Sequence, residues 1–474
     1  MPNLCSPILF LLLVCVAQAA IQDNIPDDKA VQTTASKIVL QNARVIDGRG
    51  TAVRDDQQIL IVDGLIKSVA QKVEIPTDAE VIDLAGKTVM PGLVLVHEHN
   101  FYSAIVGGPF HMNYMAYSFP RMYLAAGVTT ARTTGSLEPY TDLELKERIA
   151  GGKSVGPDYH LTMPYVDGSG TGITQLHGVK DSADAARLIR YWAAEGFTSV
   201  KLYVNLPHAE METAIDTAHA HGLQVTGHIG RVSYREASAM GIDNLEHGFL
   251  AASDWLSGRL PDDSVNIGKI YESIAALDPE SSEVMDVIQH VIDEGVAITS
   301  TLAIFETFTR GRPPAGPAEL AALAPPLRES YLKTWATISQ SDSSTRVDAW
   351  NNNLKMEKAF FDRGGLLVVG TDPTGYGGCL AGYGSWRAIE LLVEAGLTPL
   401  EAIKCATSNG AQLLGILDQT GTIEVGKAAD LIIVNGNPDE SIADLRKTET
   451  VFKDGIGYDS ATLFNSVAGM VGIQ

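Results

Sequence analysis

The chain is poor in cysteine, in positive charge and in long apolar runs, and each shortage removes a class of protein. It has four cysteines in 474 residues. Two of these, Cys5 and Cys15, fall in the leader described below, so only Cys379 and Cys405 remain. Two cysteines exclude a disulfide framework and leave room for a single bridge at most. Their spacing resembles no cysteine-based zinc site. Lysine and arginine total 35 against 57 acidic residues, a formal net charge of -22. Without a run of basic residues, a nucleic-acid backbone, an anionic membrane or a phosphate-rich substrate would be repelled. The longest leading apolar run, residues 8–17, falls short of the roughly 20 residues that span a bilayer. No short internal repeat or low-complexity tract is present, and the composition is that of a folded chain long enough for a large core.

That leading run is followed by Ala17-Gln18-Ala19, the small-residue pattern accepted by signal peptidase. Residues 1–19 therefore read as a cleavable signal peptide, although no Lys or Arg precedes the apolar run. Val14 before Cys15 is too large for a lipoprotein signal. The expected destination is periplasmic or secreted.

In the remainder, residues 37–90 form short alternating segments split by Gly and Asp, the texture of antiparallel hairpins. Residues 416–474 return to that texture, so the two ends are expected to join in one β-rich module, a small composite β-sandwich. Between them, over residues 91–415, apolar runs alternate with helical stretches. These runs lie at 93–96, 128–131, 159–163, 199–203, 223–226, 242–245, 296–300 and 366–369. Eight βα units predict an α/β fold, a (β/α)8 TIM barrel whose active site lies at the carboxyl ends of the strands. Thr398-Pro399-Leu400-Glu401 predicts a helix start with a capping box.

Ligand-type residues stand where the runs end. "PGLVLVHEH" closes the first with His97 and His99, which share a strand face while Glu98 points away. Lys201 follows "TSV" in the fourth, His228 ends the fifth in "QVTGHIG", and His247 ends the sixth in "NLEHG". Asp372 lies just past the eighth, in "GTDP". Taken singly, a histidine can be a satisfied core residue, Asp372 a helix cap and Lys201 a snorkelling side chain. Together they occupy one rim of one barrel.

With "ATSNGAQLLGI" and "GTIEVGKAADLIIV" near the carboxyl end, these motifs resemble the metal-dependent amidohydrolase superfamily. Within it the chain looks most like members related to Xaa-Pro dipeptidases and imidazolonepropionases. The resemblance implies that His97, His99 and Asp372 hold one metal, that His228 and His247 hold a second, and that Lys201 bridges both as a carboxylated lysine. Two divalent ions are expected as cofactors, with zinc the default for nitrogen and oxygen donors. Such ions make a water acidic enough to attack a carbonyl. Asp372 would then be the catalytic acid–base that takes the water's proton and delivers it to the leaving nitrogen.

The expected reaction is amide hydrolysis in a small N-acyl amino acid or dipeptide-like molecule, with a cyclic amide or lactone as the runner-up. A barrel kept for binding alone should lack ligands, and this chain lacks none. After the first strand, Tyr102, His111, Tyr114 and Tyr117 are candidates to line an apolar or aromatic substrate pocket, or else to pack within the loop. Arg231 is placed either to pair with a substrate carboxylate or to face solvent. Tyr203 shares a strand face with Lys201 and is a further candidate for substrate binding. The Pro-rich segment between Leu302 and Trp350 reads as a helical insertion over the rim. The expected partner is a small molecule, with no nucleic acid and no stable membrane span; a homo-oligomer is left open.

If the leader is cleaved as its pattern predicts, amino-terminal sequencing of the exported protein will begin at Ala20. A product that retains residues 1–19 would overturn that cleavage site.

Overall fold

The computed structural model describes residues 26, 28–105, 110–170, 176–260, 262–341 and 344–472. The expected signal peptide lies outside these residues. All eight apolar runs appear as parallel strands: Leu93–Glu98, Val128–Thr133, Asp158–His160, Ser199–Leu202, Gln224–Gly227, Asn244–Glu246, Ala297–Ser300 and Leu367–Val369. Their nearly unbroken apolar character follows from burial on both faces, since helices cover one face and the facing strands the other. The first three of these strands make one parallel sheet. The other five make a second, extended by the two-residue strands Val166–Asp167 and His177–Gly178.

Backbone hydrogen bonds join the two sheets at both edges. On one side Thr198 N–H donates to the Leu161 carbonyl at 2.9 Å and Met163 N–H to the Ser199 carbonyl at 3.0 Å. On the other, Asp372 N–H donates to the His97 carbonyl at 2.9 Å. The arrangement is TIM-barrel-like. Helices return the chain between strands, and their starts follow local chemistry. Asp181 caps Ser182–Ala194 by accepting from Asp184 N–H at 2.8 Å. At Pro399–Cys405, Thr398 Oγ1 accepts from Glu401 N–H at 3.3 Å while Glu401 Oε2 accepts from Thr398 N–H at 2.8 Å. That is the expected capping box.

The two ends of the chain meet in a nine-stranded sheet. Its junction is the antiparallel pair Thr88–Pro91 and Leu431–Val434. Ile38, Leu40, Ile59, Ile61, Leu431, Ile433 and Phe452 form its apolar core. An ion cluster around the buried Lys453 ties this sheet to the parallel strands: its Nζ lies 2.8 Å from Asp158 Oδ1 and 2.7 Å from Asp454 Oδ2, both partly exposed. The insertion after Ala297–Ser300 is helical, with Leu302–Thr307, Pro317–Ala322 and Pro325–Ser339. Cys379 and Cys405 are buried and free, so the single bridge left open by the sequence is not formed.

Gly370 sits where the last parallel strand meets the first. A Cβ there would lie 2.2 Å from His97 Cβ and 2.8 Å from His97 Cα, and backbone cannot yield. Gly370→Ala is expected to destabilise the fold by about 1–3 kcal/mol, the usual cost of overpacking. The measurement is urea unfolding, in which the midpoint should fall with the slope unchanged.

Candidate functional site

His97 and His99 end the first parallel strand on one face, and Glu98 turns away to accept from Thr371 N–H at 2.8 Å. Burial pushes the Glu98 carboxyl up to about 8. His97 Nδ1 lies 2.6 Å from Glu246 Oε2. Glu246 is itself held by Thr226 Oγ1 and by Arg132 Nη2, the latter at 2.8 Å. Arg132 is buried among the strands and also donates from Nε to the Val96 carbonyl at 2.8 Å. A carboxylate on Nδ1 fixes the His97 tautomer and leaves the Nε2 lone pair free for the cavity.

Asp372 follows the last strand and adopts φ +49°, while His247 adopts φ +75°. For residues other than glycine, such left-handed geometry costs on the order of 1–3 kcal/mol and persists only where the surroundings impose it. At His247 it has a clear use. It lets the consecutive residues Glu246 and His247 both reach the His97 ring, which an unbroken strand would forbid. Asp372 then lies among three imidazoles: His99 Nε2 is 3.3 Å from Oδ1, and His97 Nε2 and His247 Nδ1 are each 3.8 Å from Oδ2. Thr374 Oγ1 donates to Oδ1 at 2.8 Å. Burial alone would raise the Asp372 carboxyl, but the His97 and His99 rings and this hydroxyl more than reverse it.

Burial, reinforced by the Lys201 ammonium, holds His97 well below the ordinary imidazole range and His228 down to about 3. Burial and the neighbouring His228 and His97 rings do the same to His247. These rings are neutral at physiological pH, with nitrogen lone pairs available. Lys201 is buried, its ammonium pulled down to about 8 by burial, and its Nζ has no hydrogen-bond partner. His99 Nδ1 is a second buried atom without a partner. The His228 and His247 ring centroids lie 4.2 Å apart, and those of His97 and His247 4.8 Å.

This donor set fits a divalent metal. Ligand atoms of His97, His247 and Asp372 fall within 4.8 Å of one another, and all donors are the nitrogen and oxygen types that zinc and similar ions accept. This grouping cuts across the two sets that the resemblance implies, since it joins His247 to His97 and Asp372.

These residues face a cavity of about 260 Å³. His97, His99, Lys201, His228, His247 and Asp372 line it on the polar side, and Phe101, Met112, Ile304, Phe305 and Phe308 on the apolar side. Tyr203 is in its wall with Tyr165, their ring centroids 5.1 Å apart. The other substrate-binding candidates lie elsewhere. Tyr114 donates its hydroxyl to Asp142 Oδ1 at 2.5 Å, and Tyr117 is exposed with the Arg121 guanidinium 4.4 Å from its ring centroid. Arg231 leans toward the Asn205 carbonyl at 3.5 Å and Asp262 Oδ1 at 3.8 Å. None of the three lines the cavity. Tyr102 packs in the core against Phe119, and His111 is exposed.

Glu246, Arg132, Tyr165, Phe305 and Phe308 were not anticipated. For the insertion a signal existed: Ile304, Phe305 and Phe308 recur at the spacing of one helix face.

The Amidohydrolase family model matches residues 88–456. A 5'-deoxyadenosine deaminase from Methanobrevibacter smithii is 36% identical over 77 residues, 16% of this chain and 18% of that protein. Curated relatives at 32–44% identity are matched over only 14–19% of their own lengths. Among solved structures, a Xaa-Pro dipeptidase with bound methionine in the active site superposes with TM-score 0.67 at 20% identity, covering 90% of this chain and 100% of the other. A bottromycin amidohydrolase gives TM-score 0.69 at 21% identity, covering 98% and 94%. These structural likenesses establish the fold.

Elemental analysis of the purified protein is expected to find bound divalent metal, with occupancy falling in His97→Ala and His247→Ala. Labelled bicarbonate should give a carbamate carbon signal in NMR that is absent in Lys201→Ala.

Proposed function

Because the chain belongs to the amidohydrolase family, we propose that it is a metal-dependent hydrolase of carbon–nitrogen bonds. In this reading it is exported by its leader and cleaves the amide of a small N-acyl amino acid or dipeptide-like molecule. One observation carries the reading: a carboxylate among three imidazoles shares a cavity with a buried, partnerless lysine amine. As part of the same proposal, the two parallel sheets close as a (β/α)8 barrel and the terminal sheet folds over as a β-sandwich.

His97, His99, His228, His247, Asp372 and a carboxylated Lys201 would hold two divalent ions, zinc by default, which would polarise the substrate carbonyl and acidify the attacking water. The lysine prepares its own part. With its ammonium pulled down to about 8, a substantial neutral fraction can add CO2, forming an N–C bond and releasing one proton. The carbamate is an anion, whereas an ammonium would repel the cations. Glu246 holds His97 through Nδ1, so its Nε2 stays directed at the cavity.

Asp372 takes one proton from the attacking water as the new C–O bond forms. It returns that proton to the amide nitrogen as the C–N bond breaks, so one amide and one water give one carboxylic acid and one amine. Burial keeps the Tyr203 phenol protonated. From the cavity wall it can donate a hydrogen bond to the substrate, beside the His228 ring 5.2 Å away between centroids.

Mass spectrometry of a mixed pool of N-acyl amino acids and dipeptides, incubated with zinc-loaded protein, is expected to show acid and amine products. Asp372→Asn should slow their formation by at least about 10²-fold, the usual worth of a positioned acid–base. Equal rates in the variant would overturn the assigned role. A parallel pool of cyclic amides and lactones tests the runner-up on the same samples.

A further inference from the structure

We propose a second small-molecule site behind the wall of the histidine cavity, which takes a cationic primary amine carrying an aryl group: Glu319 receives the ammonium, and Tyr383, Trp386 and Phe464 receive the ring. The proposal concerns a different cavity from the one assigned to hydrolysis and does not rest on that reading.

The helix Leu302–Thr307 divides two hollows. Ile304 and Phe305 face the histidine cavity, whereas Ala303, Glu306 and Thr307 line a space of about 260 Å³ on the other side. That space adjoins one of about 370 Å³, and Gly316, Glu319 and Arg446 line both. A second helix supplies the facing wall. In Tyr383–Glu394, residues Tyr383, Trp386, Arg387 and Glu390 recur at the spacing of one helix face, and each lines one of the two spaces.

Charge decides what fits there. Arg312, Arg387 and Arg446 are joined to Glu306, Glu390 and Glu394 in one network of ion pairs, so these three cations and three anions cancel. Glu319 stands outside that network. Its carboxylate accepts from Gly316 N–H at 3.2 Å, and among the described residues no basic side chain pairs with it. The undescribed stretches contain no Lys or Arg to do so. Burial, reinforced by Glu306 and Glu390, pushes the Glu319 carboxyl up to about 7.

Beside Glu319 the wall is aromatic. The Tyr383 and Phe464 rings are stacked with centroids 4.5 Å apart, and Trp386 lies 5.4 Å from Phe464. All three line the larger space. An aryl group entering it removes its own surface from water against other rings, while an ammonium beside Glu319 gains a charge-assisted hydrogen bond. A divalent metal ion would need several oxygen donors, and the other carboxylates here are already paired with arginines. An anion would find those arginines occupied and one negative charge left over.

The test is calorimetric titration of 2-phenylethylamine into the purified protein at about pH 8, where the ammonium and most of the Glu319 carboxylate are ionised. One-to-one binding is expected. On the same protein, 2-phenylethanol, similar in shape but uncharged, should bind at least about tenfold more weakly, the scale of a hydrogen bond to a charged group. Equal binding of the two, or no binding of the amine, would overturn the proposal. Glu319→Gln should weaken the amine by a similar factor and leave the alcohol unchanged, and Phe464→Ala should weaken both. An amine affinity unmoved by Glu319→Gln sinks the ammonium site, and affinities unmoved by Phe464→Ala sink the aryl site. Asp372→Asn, in the histidine cavity, should leave the amine's affinity as it was. Binding lost in Asp372→Asn but kept in Glu319→Gln would put the amine in the histidine cavity and refute a second site.

Discussion

One backbone hydrogen bond, from Asp372 N–H to the His97 carbonyl at 2.9 Å, sets the geometry on which the site depends. It registers the segment after the last parallel strand against the end of the first, and so brings one carboxylate to the imidazoles of His97 and His99. Gly370 makes the approach possible, because His97 occupies the space a side chain would need. With that register set, the left-handed backbone at Asp372 turns the carboxylate inward. The six ligand-type residues come from five strand ends, but the relation between His97 and Asp372 is fixed by direct backbone contact.

Around this junction a buried polar network links the strands. Arg132 spans three acceptors, the Val96 carbonyl, Asn244 and Glu246, so a buried cation and a buried carboxylate compensate one another beneath the histidines. Removing one member of such a pair leaves the other charged and unsolvated. Among the buried atoms that lack partners, Lys201 Nζ and His99 Nδ1 sit in residues facing the cavity. A buried polar atom without a partner asks for an explanation; at Lys201 and His99, in the cavity wall, ligand-type chemistry rather than packing supplies it. The insertion supplies the opposite character, an apolar wall of Ile304, Phe305 and Phe308 that limits how much water reaches the polar side.

Much of this was legible in the sequence because parallel strands buried on both faces read as apolar runs, and the ligand-type residues stand at the ends of those runs. The third run was the least faithful: the chain leaves the ladder after His160, and Thr162 instead bridges to Ser199. Tyr114, Tyr117 and Arg231 were placed by proximity in sequence to ligand-type residues. Phe101–Ile105 and Phe110–Tyr114 in fact pair as an antiparallel hairpin, which presents Phe101 and Met112 to the cavity and ties Tyr114 to Asp142. Glu246 was missed because strict alternation assigns it to the face opposite His247, and sequence does not disclose the positive φ that suspends alternation there. Arg132 was illegible for a related reason. A fully buried arginine is intelligible only with its acceptors, and these come from strands far apart in the chain.

The terminal sheet imposes an order of assembly. Thr88–Pro91 is flanked by Lys37–Val45 on one side and Leu431–Val434 on the other, so its second neighbour is separated from it by more than three hundred residues of chain. Until that late segment has left the ribosome, the early hairpins present an unpaired edge and an open apolar face. Completion of this module thus waits for Leu431–Val434, whatever the speed with which the strands between begin to pair. The strands nearest the start of this module thus keep an open edge until Leu431–Val434 docks onto Thr88–Pro91.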